Sequence, residues 1–118
     1  MGKALLQRLA QCETDVDGAL QRFSEQEALY LEIVRAFPND ETMDQLANAI
    51  AVSDWDGAFT AAHALKGLAG NLGFIPLFHE VGSLVMLIRA GREEEIDVVL
   101  KRVSRCYQDL VDTINEDT

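Results

Sequence analysis

Ala61-Ala62-His63-Ala64-Leu65-Lys66-Gly67-Leu68-Ala69-Gly70-Asn71-Leu72-Gly73 is the stretch on which the reading of this chain turns. At about 100° of rotation per residue it forms one helix with two unlike faces. Phe59, Thr60, Lys66, Gly67 and Gly70 fall within about 60° of His63. Ala58, Ala61, Leu65, Leu68 and Leu72 fall on the opposite side and make an apolar back. The front carries one imidazole, one ammonium and two residues without side chains. A glycine in a helix interior costs roughly 1 kcal/mol relative to alanine, so two of them before a stop at Gly73 need an offset. Close helix packing at Gly67 and Gly70 is one explanation. The glycines share a face with His63 and Lys66, not with the leucines. That points instead to a cleared surface, where another protein brings a reactive group up to the imidazole.

Outward from this helix, the rest of the chain is also helical by its periodicity. Ser53-Asp54 caps the start of the His63 helix, with Asp54 and Asp56 at the positive end of its dipole. Upstream, Asn39 or Asp40 opens a helix carrying Met43, Leu46, Ala47 and Ile50. Ser24-x-x-Glu27 reads as a capping box for a helix with Leu29, Tyr30, Ile33, Val34 and Phe37, stopped by Pro38. Thr14 with Asp17 sets a short helix from about residue 15 through Phe23, with Val16, Leu20 and Phe23 on one face. Residues 1–13 form an arm or a short helix with Leu5, Leu6 and Leu9. Downstream, Pro76 suits the first turn of a helix carrying Leu77, Val81, Leu84, Val85 and Ile88, ended by Gly91. Glu93, Glu94 and Glu95 then open a last helix through Ile96, Val99, Leu100, Val103, Tyr107, Leu110 and Ile114.

Connections of a few residues make consecutive helices antiparallel. The expected architecture is all-α: an up-down-up-down four-helix bundle with one or two additional short N-terminal helices. Residues 14–118 would be the bundle domain.

The 118 residues suit one domain, and 48% hydrophobic content supplies a core without metal or disulfide. Cys12 and Cys106 match no metal or redox spacing. No apolar run approaches the roughly 20 residues of a membrane span, and the start lacks a signal-peptide pattern. A reduced, cytoplasmic, monomeric protein is the expectation, and the Met1 start favours a free-standing one. A net charge of -10, from 20 acidic and 10 basic residues, argues against nucleic acid and an anionic membrane as partners.

His63-x-x-Lys66-Gly67 with Gly73 six residues on resembles the signature of histidine-containing phosphotransfer (HPt) domains. Asp54-Trp55 before the helix and Asn71-Leu72-Gly73 at its end fit the same wording. The resemblance covers roughly residues 14–115, and the 54–73 stretch is its specific part. It implies a phosphocarrier in a multistep two-component phosphorelay, with His63 Nε2 as phosphoacceptor. The implied partners are response-regulator receiver domains and a hybrid sensor histidine kinase. The receiver would bring the Mg²⁺ and the phospho-aspartate. The phosphoacceptor domains of chemotaxis kinases share the pattern but carry a glutamate on the following helix. Here Gly82-Ser83-Leu84-Val85-Met86 has no carboxylate, which favours a relay domain.

The residues themselves allow that chemistry. Imidazole accepts a phosphoryl group through an unprotonated nitrogen. Lys66, one turn along, can hydrogen-bond the phosphoryl oxygens, and phosphoryl transfer depends mostly on positioning and charge stabilisation. Gly67 leaves the gap that admits a partner. Thr60 is a further hydrogen bonder. Phe59 and Gly70 belong to the docking face, with Arg22 and Gln26 at its rim. No Gly-rich phosphate cradle and no recognisable Mg²⁺ carboxylate pair is present, so neither an intrinsic cofactor nor autonomous kinase activity is expected. His79 shares no motif and two histidines make no metal site. Two other readings remain. One is a helical adaptor that is never phosphorylated. The other is an enzyme using His63 as general base inside a closed polar pocket.

Overall fold

The computed structural model describes residues 2–116. Met1, Asp117 and Thr118, at the outer edges of the two expected segments, lie outside the described residues. The order is α1 (Gly2–Gln11), α2 (Val16–Arg22), α3 (Glu27–Ala36), a 3-10 turn (Phe37–Asn39), α4 (Thr42–Ala51), α5 (Trp55–Leu72), α6 (Ile75–Ala90) and α7 (Glu93–Asn115). Among the described residues there is no strand; one isolated bridge pairs Thr14 with Phe74. The fold is an all-helical bundle. α5 packs against both α4 and α6, and α6 against α7. No helix among the described residues is long and apolar enough to cross a membrane.

Residues 2–11 are a true helix, and it is no loose arm. Leu5 and Leu9 are fully buried in the cluster that also holds Leu72, Leu84 and Ile114. α1 leans on α7.

Two helices open with the same four-residue device, Asp-x-Asp-Gly. Asp15 Oδ1 accepts a hydrogen bond from Gly18 N at 3.1 Å, and Asp54 Oδ1 accepts one from Gly57 N at 3.0 Å. Each satisfies an amide that the first turn cannot pair internally. The cap of α2 is therefore Asp15, not Thr14, whose buried backbone bridges to Phe74 instead.

The capping box expected at Ser24 does not form. Ser24 and Glu25 sit at φ 54° and 61°, and α3 starts at Glu27 after Gln26, with no side-chain cap. Two successive left-handed residues close the turn from α2, and the cap position of α3 falls to Gln26 instead of Ser24. The apolar face of α3 is rotated from the expected one. Tyr30, Leu31 and Val34 are buried, whereas Leu29 is 39% exposed and Ile33 half-buried. On α4, Met43, Leu46 and Ile50 are buried as their spacing requires, together with Ala49.

The C-terminal end of α5 is anchored by several residues that precede α4. Gly73 stops the helix at φ 78°, a conformation that costs a residue with a Cβ. The carbonyls there receive donors from three residues of two N-terminal helices and their caps. Asp15 N donates to Gly73 O at 2.8 Å, Tyr30 Oη to Leu72 O at 2.8 Å, and Arg22 Nε to Asn71 O at 3.2 Å. Arg22 also donates to Gly70 O at 2.7 Å. This fixes α5 in rotation, and with it the residues its front presents.

Candidate functional site

Ala58, Ala61, Ala62, Leu65, Ala69 and Leu72 hold the back of α5 in the core. The front therefore points outward, with His63 exposed at its middle. Among the described residues, no hydrogen bond or ion pair engages the imidazole. Phe59, a turn earlier, is its ring partner, stacked on it with centroids 6.1 Å apart. Phe59 is half-buried and rests on the core, so it joins the apolar interior to the exposed ring.

Lys66 lies toward α6. Its Nζ sits 5.4 Å from the centroid of the Phe78 ring. No carboxylate pairs with it among the described residues. In a chain with twice as many acids as bases, an ammonium with no carboxylate partner among the described residues, one helical turn along from the imidazole, is a positive point available to an anion.

The two interior glycines do different things. A Cβ at Gly67 would meet nothing within 4 Å, so this position is open space beside the imidazole. A Cβ at Gly70 would lie 3.1 Å from the Phe78 ring. The clearance at Gly70 is thus filled by the chain's own Phe78, through the close helix packing that its shared face with His63 had argued against. Thr60 is exposed, and its hydroxyl donates back to Asp56 O at 3.0 Å. Arg22 is turned to the carbonyls ending α5, as described above. Gln26 is exposed at the start of α3.

On the other flank of the ridge, α4 and α5 enclose an open groove of about 810 Å³. Asn48, Val52, Asp56, Thr60 and Ala64 line it, and His63 stands outside it. The imidazole is therefore on a ridge beside a groove, which is not the setting of a general base closed off from water. Among the described residues, no group of three or more His, Cys, Asp or Glu could hold a metal ion. Cys12 and Cys106 are free and half-buried.

Sequence reasoning missed Phe78 and Gly82. Gly82, on α6, faces Lys66 on α5: a Cβ there would lie 3.6 Å from Lys66 Cε. The signal that could have found it was a glycine inside α6 with no turn to explain it.

The family model for the Hpt domain matches residues 39–115, well over half of the chain. Neither the curated proteins nor the solved structures compared with the chain give a match.

Proposed function

The chain belongs to the Hpt domain family, and from that premise we propose that it relays a phosphoryl group between receiver-domain aspartates through a phosphohistidine at His63. The single observation carrying this is the exposed imidazole, unbonded among the described residues, with an ammonium that has no carboxylate partner among them a turn along and open space at Gly67.

In this reading, a lone pair on His63 attacks phosphorus, with Nε2 taken from the family pattern. A P–N bond forms as the P–O bond to the partner's aspartate breaks. The carboxylate leaves with that electron pair, and the reverse step returns the phosphoryl group. The proton on the other ring nitrogen stays with the ring and exchanges with water. Lys66 meets the equatorial oxygens, where charge accumulates in the loose transition state. Gly67 lets the partner approach without collision. Phe59 gives the docking surface an apolar centre, with Thr60 beside it. Divalent-metal chemistry belongs to the partner's aspartate. The chain itself is a carrier with no cofactor of its own and no kinase activity, working in the cytoplasm as a monomer beside a hybrid kinase and a response regulator.

The test is incubation with receiver domains carrying a radiolabelled phospho-aspartate. Wild type should take up label that is acid-labile and base-stable, and His63→Gln should take up none. Equal label on both would end this reading. An undiminished biological role for His63→Gln would favour an adaptor.

A further inference from the structure

Four residues on α5 and α6 interlock in the groove between the two helices. Gly70 leaves room for the Phe78 ring, whose nearest carbons would lie 3.1 and 3.2 Å from a Cβ there. Phe78 carries the Lys66 ammonium 5.4 Å from its centroid. Gly82, one turn further along α6, leaves the groove open for the lysine stem, with Cε at 3.6 Å and Nζ at 3.9 Å from a Cβ built there. Two glycines in helix interiors are each unfavourable alone. Together they let one aromatic ring and one lysine share the α5–α6 groove.

The choice of an aromatic partner matters. An ammonium is attracted to the face of a ring without being neutralised. A carboxylate in the same place would bind it and cancel the charge that phosphoryl oxygens need. A lysine left free would lose much of its side-chain entropy on meeting those oxygens.

We propose that Phe78 is the positioning residue for Lys66: it holds the ammonium over its ring in the α5–α6 groove, one helical turn along α5 from His63 and with no carboxylate paired to it among the described residues, so that an arriving phosphoryl group meets a cation already in place. This rests on the phosphotransfer reading of His63 and Lys66.

The experiment combines Phe78→Leu, Phe78→Tyr, Lys66→Ala and the Phe78→Leu/Lys66→Ala double variant. Two quantities are measured. One is the transfer rate from the receiver domain that reacts fastest in the assay above, at saturating donor. The other is the Lys66 Hε chemical shift in the unphosphorylated protein. Phe78→Leu should slow transfer about two- to fivefold, with the donor concentration at half-saturation unchanged. Phe78→Tyr, which keeps a ring, should restore the rate. In the Lys66→Ala background, Phe78→Leu should change nothing further. The Lys66 Hε protons should be shifted upfield by the ring in wild type and in Phe78→Tyr, and not in Phe78→Leu. An equal slowing in both backgrounds would make Phe78 merely structural and overturn the proposal, as would an unshifted Lys66 in wild type. If His63→Gln loses its label while residues 66 and 78 remain uncoupled, only this inference falls. If His63→Gln keeps its label, the phosphotransfer reading itself is what fails.

Discussion

The imidazole of His63 lies against the ring of Phe59, centroids 6.1 Å apart and planes 25° from parallel. Phe59 is itself half-buried on the core, so it supports the imidazole from inside and borders it from outside. Truncating a buried phenylalanine costs about 3–5 kcal/mol. At this half-buried position Phe59→Ala should cost about 1–2 kcal/mol in urea melts, while slowing transfer roughly tenfold. Phe59→Leu should recover most of the stability and only part of the rate. A large fall in melting temperature with an unchanged rate would make Phe59 a core residue alone.

The glycines of α5 should separate by what surrounds them. Gly67→Ala, with open space around it, should raise stability by up to about 1 kcal/mol. Gly70→Ala should not, because its Cβ would press on the Phe78 ring. Gly73→Ala should lose on the order of 2 kcal/mol or more, through its positive φ and a Cβ driven into the Asp15 carbonyl. Thermal melts of the three variants check the order. A bulkier Gly67→Leu should leave the fold intact and obstruct transfer.

Arg22 was expected at the docking rim, and its guanidinium is bonded to the carbonyls of Gly70 and Asn71. A cation there also suits the negative end of the α5 dipole. Arg22→Ala should cost about 1 kcal/mol of stability, given its exposure, and leave the transfer rate within twofold (~) of wild type. Urea melts and transfer assays on one preparation decide this. Lost transfer at unchanged stability would restore the rim role.

Burial pushes the Tyr30 hydroxyl up to about 12, against an ordinary value of 10.0, with Arg22 partly opposing and Asp15 adding to the rise. The folded state therefore holds the phenolic proton more tightly than the unfolded chain does. That stability is fully present below about pH 10 and is lost progressively between about pH 10 and 12, by on the order of 2 kcal/mol. Tyr30→Phe should be less stable at neutral pH, lacking the bond to Leu72 O. Its alkaline decline should be flatter. Denaturant melts across that pH range are the check.

Much of this was legible because the signals are local. Pro38, Asp54, Gly73, Pro76 and Gly91 each mark a boundary through their own backbone or side chain, and the structure has a boundary at each. The His63 face followed from rotation along a single helix. What did not follow depends on a second helix. Spacing shows that Lys66 and Gly70 share a face with His63, but not that α6 covers part of it with Phe78. Likewise, Leu29 and Leu31 are equally apolar, and only the approach of the other helices decides that Leu31 is buried. Ser24 failed for another reason. Its capping pattern competed with a turn in which Ser24 and Glu25 both take left-handed backbone, and nothing in those two residue types announces that choice.

The three plugs in the end of α5, from Asp15, Arg22 and Tyr30, all come from residues before Asn39, where the family match begins. A fragment trimmed to the matched region would retain the whole reactive ridge and lose its stopper. The carbonyls of Asn71, Leu72 and Gly73 would turn to water, the last turn would fray, and Gly70 with Phe78 would loosen next. For this chain, the shortest recognisable unit is therefore smaller than the shortest sturdy one, and the leading helices belong to the working part.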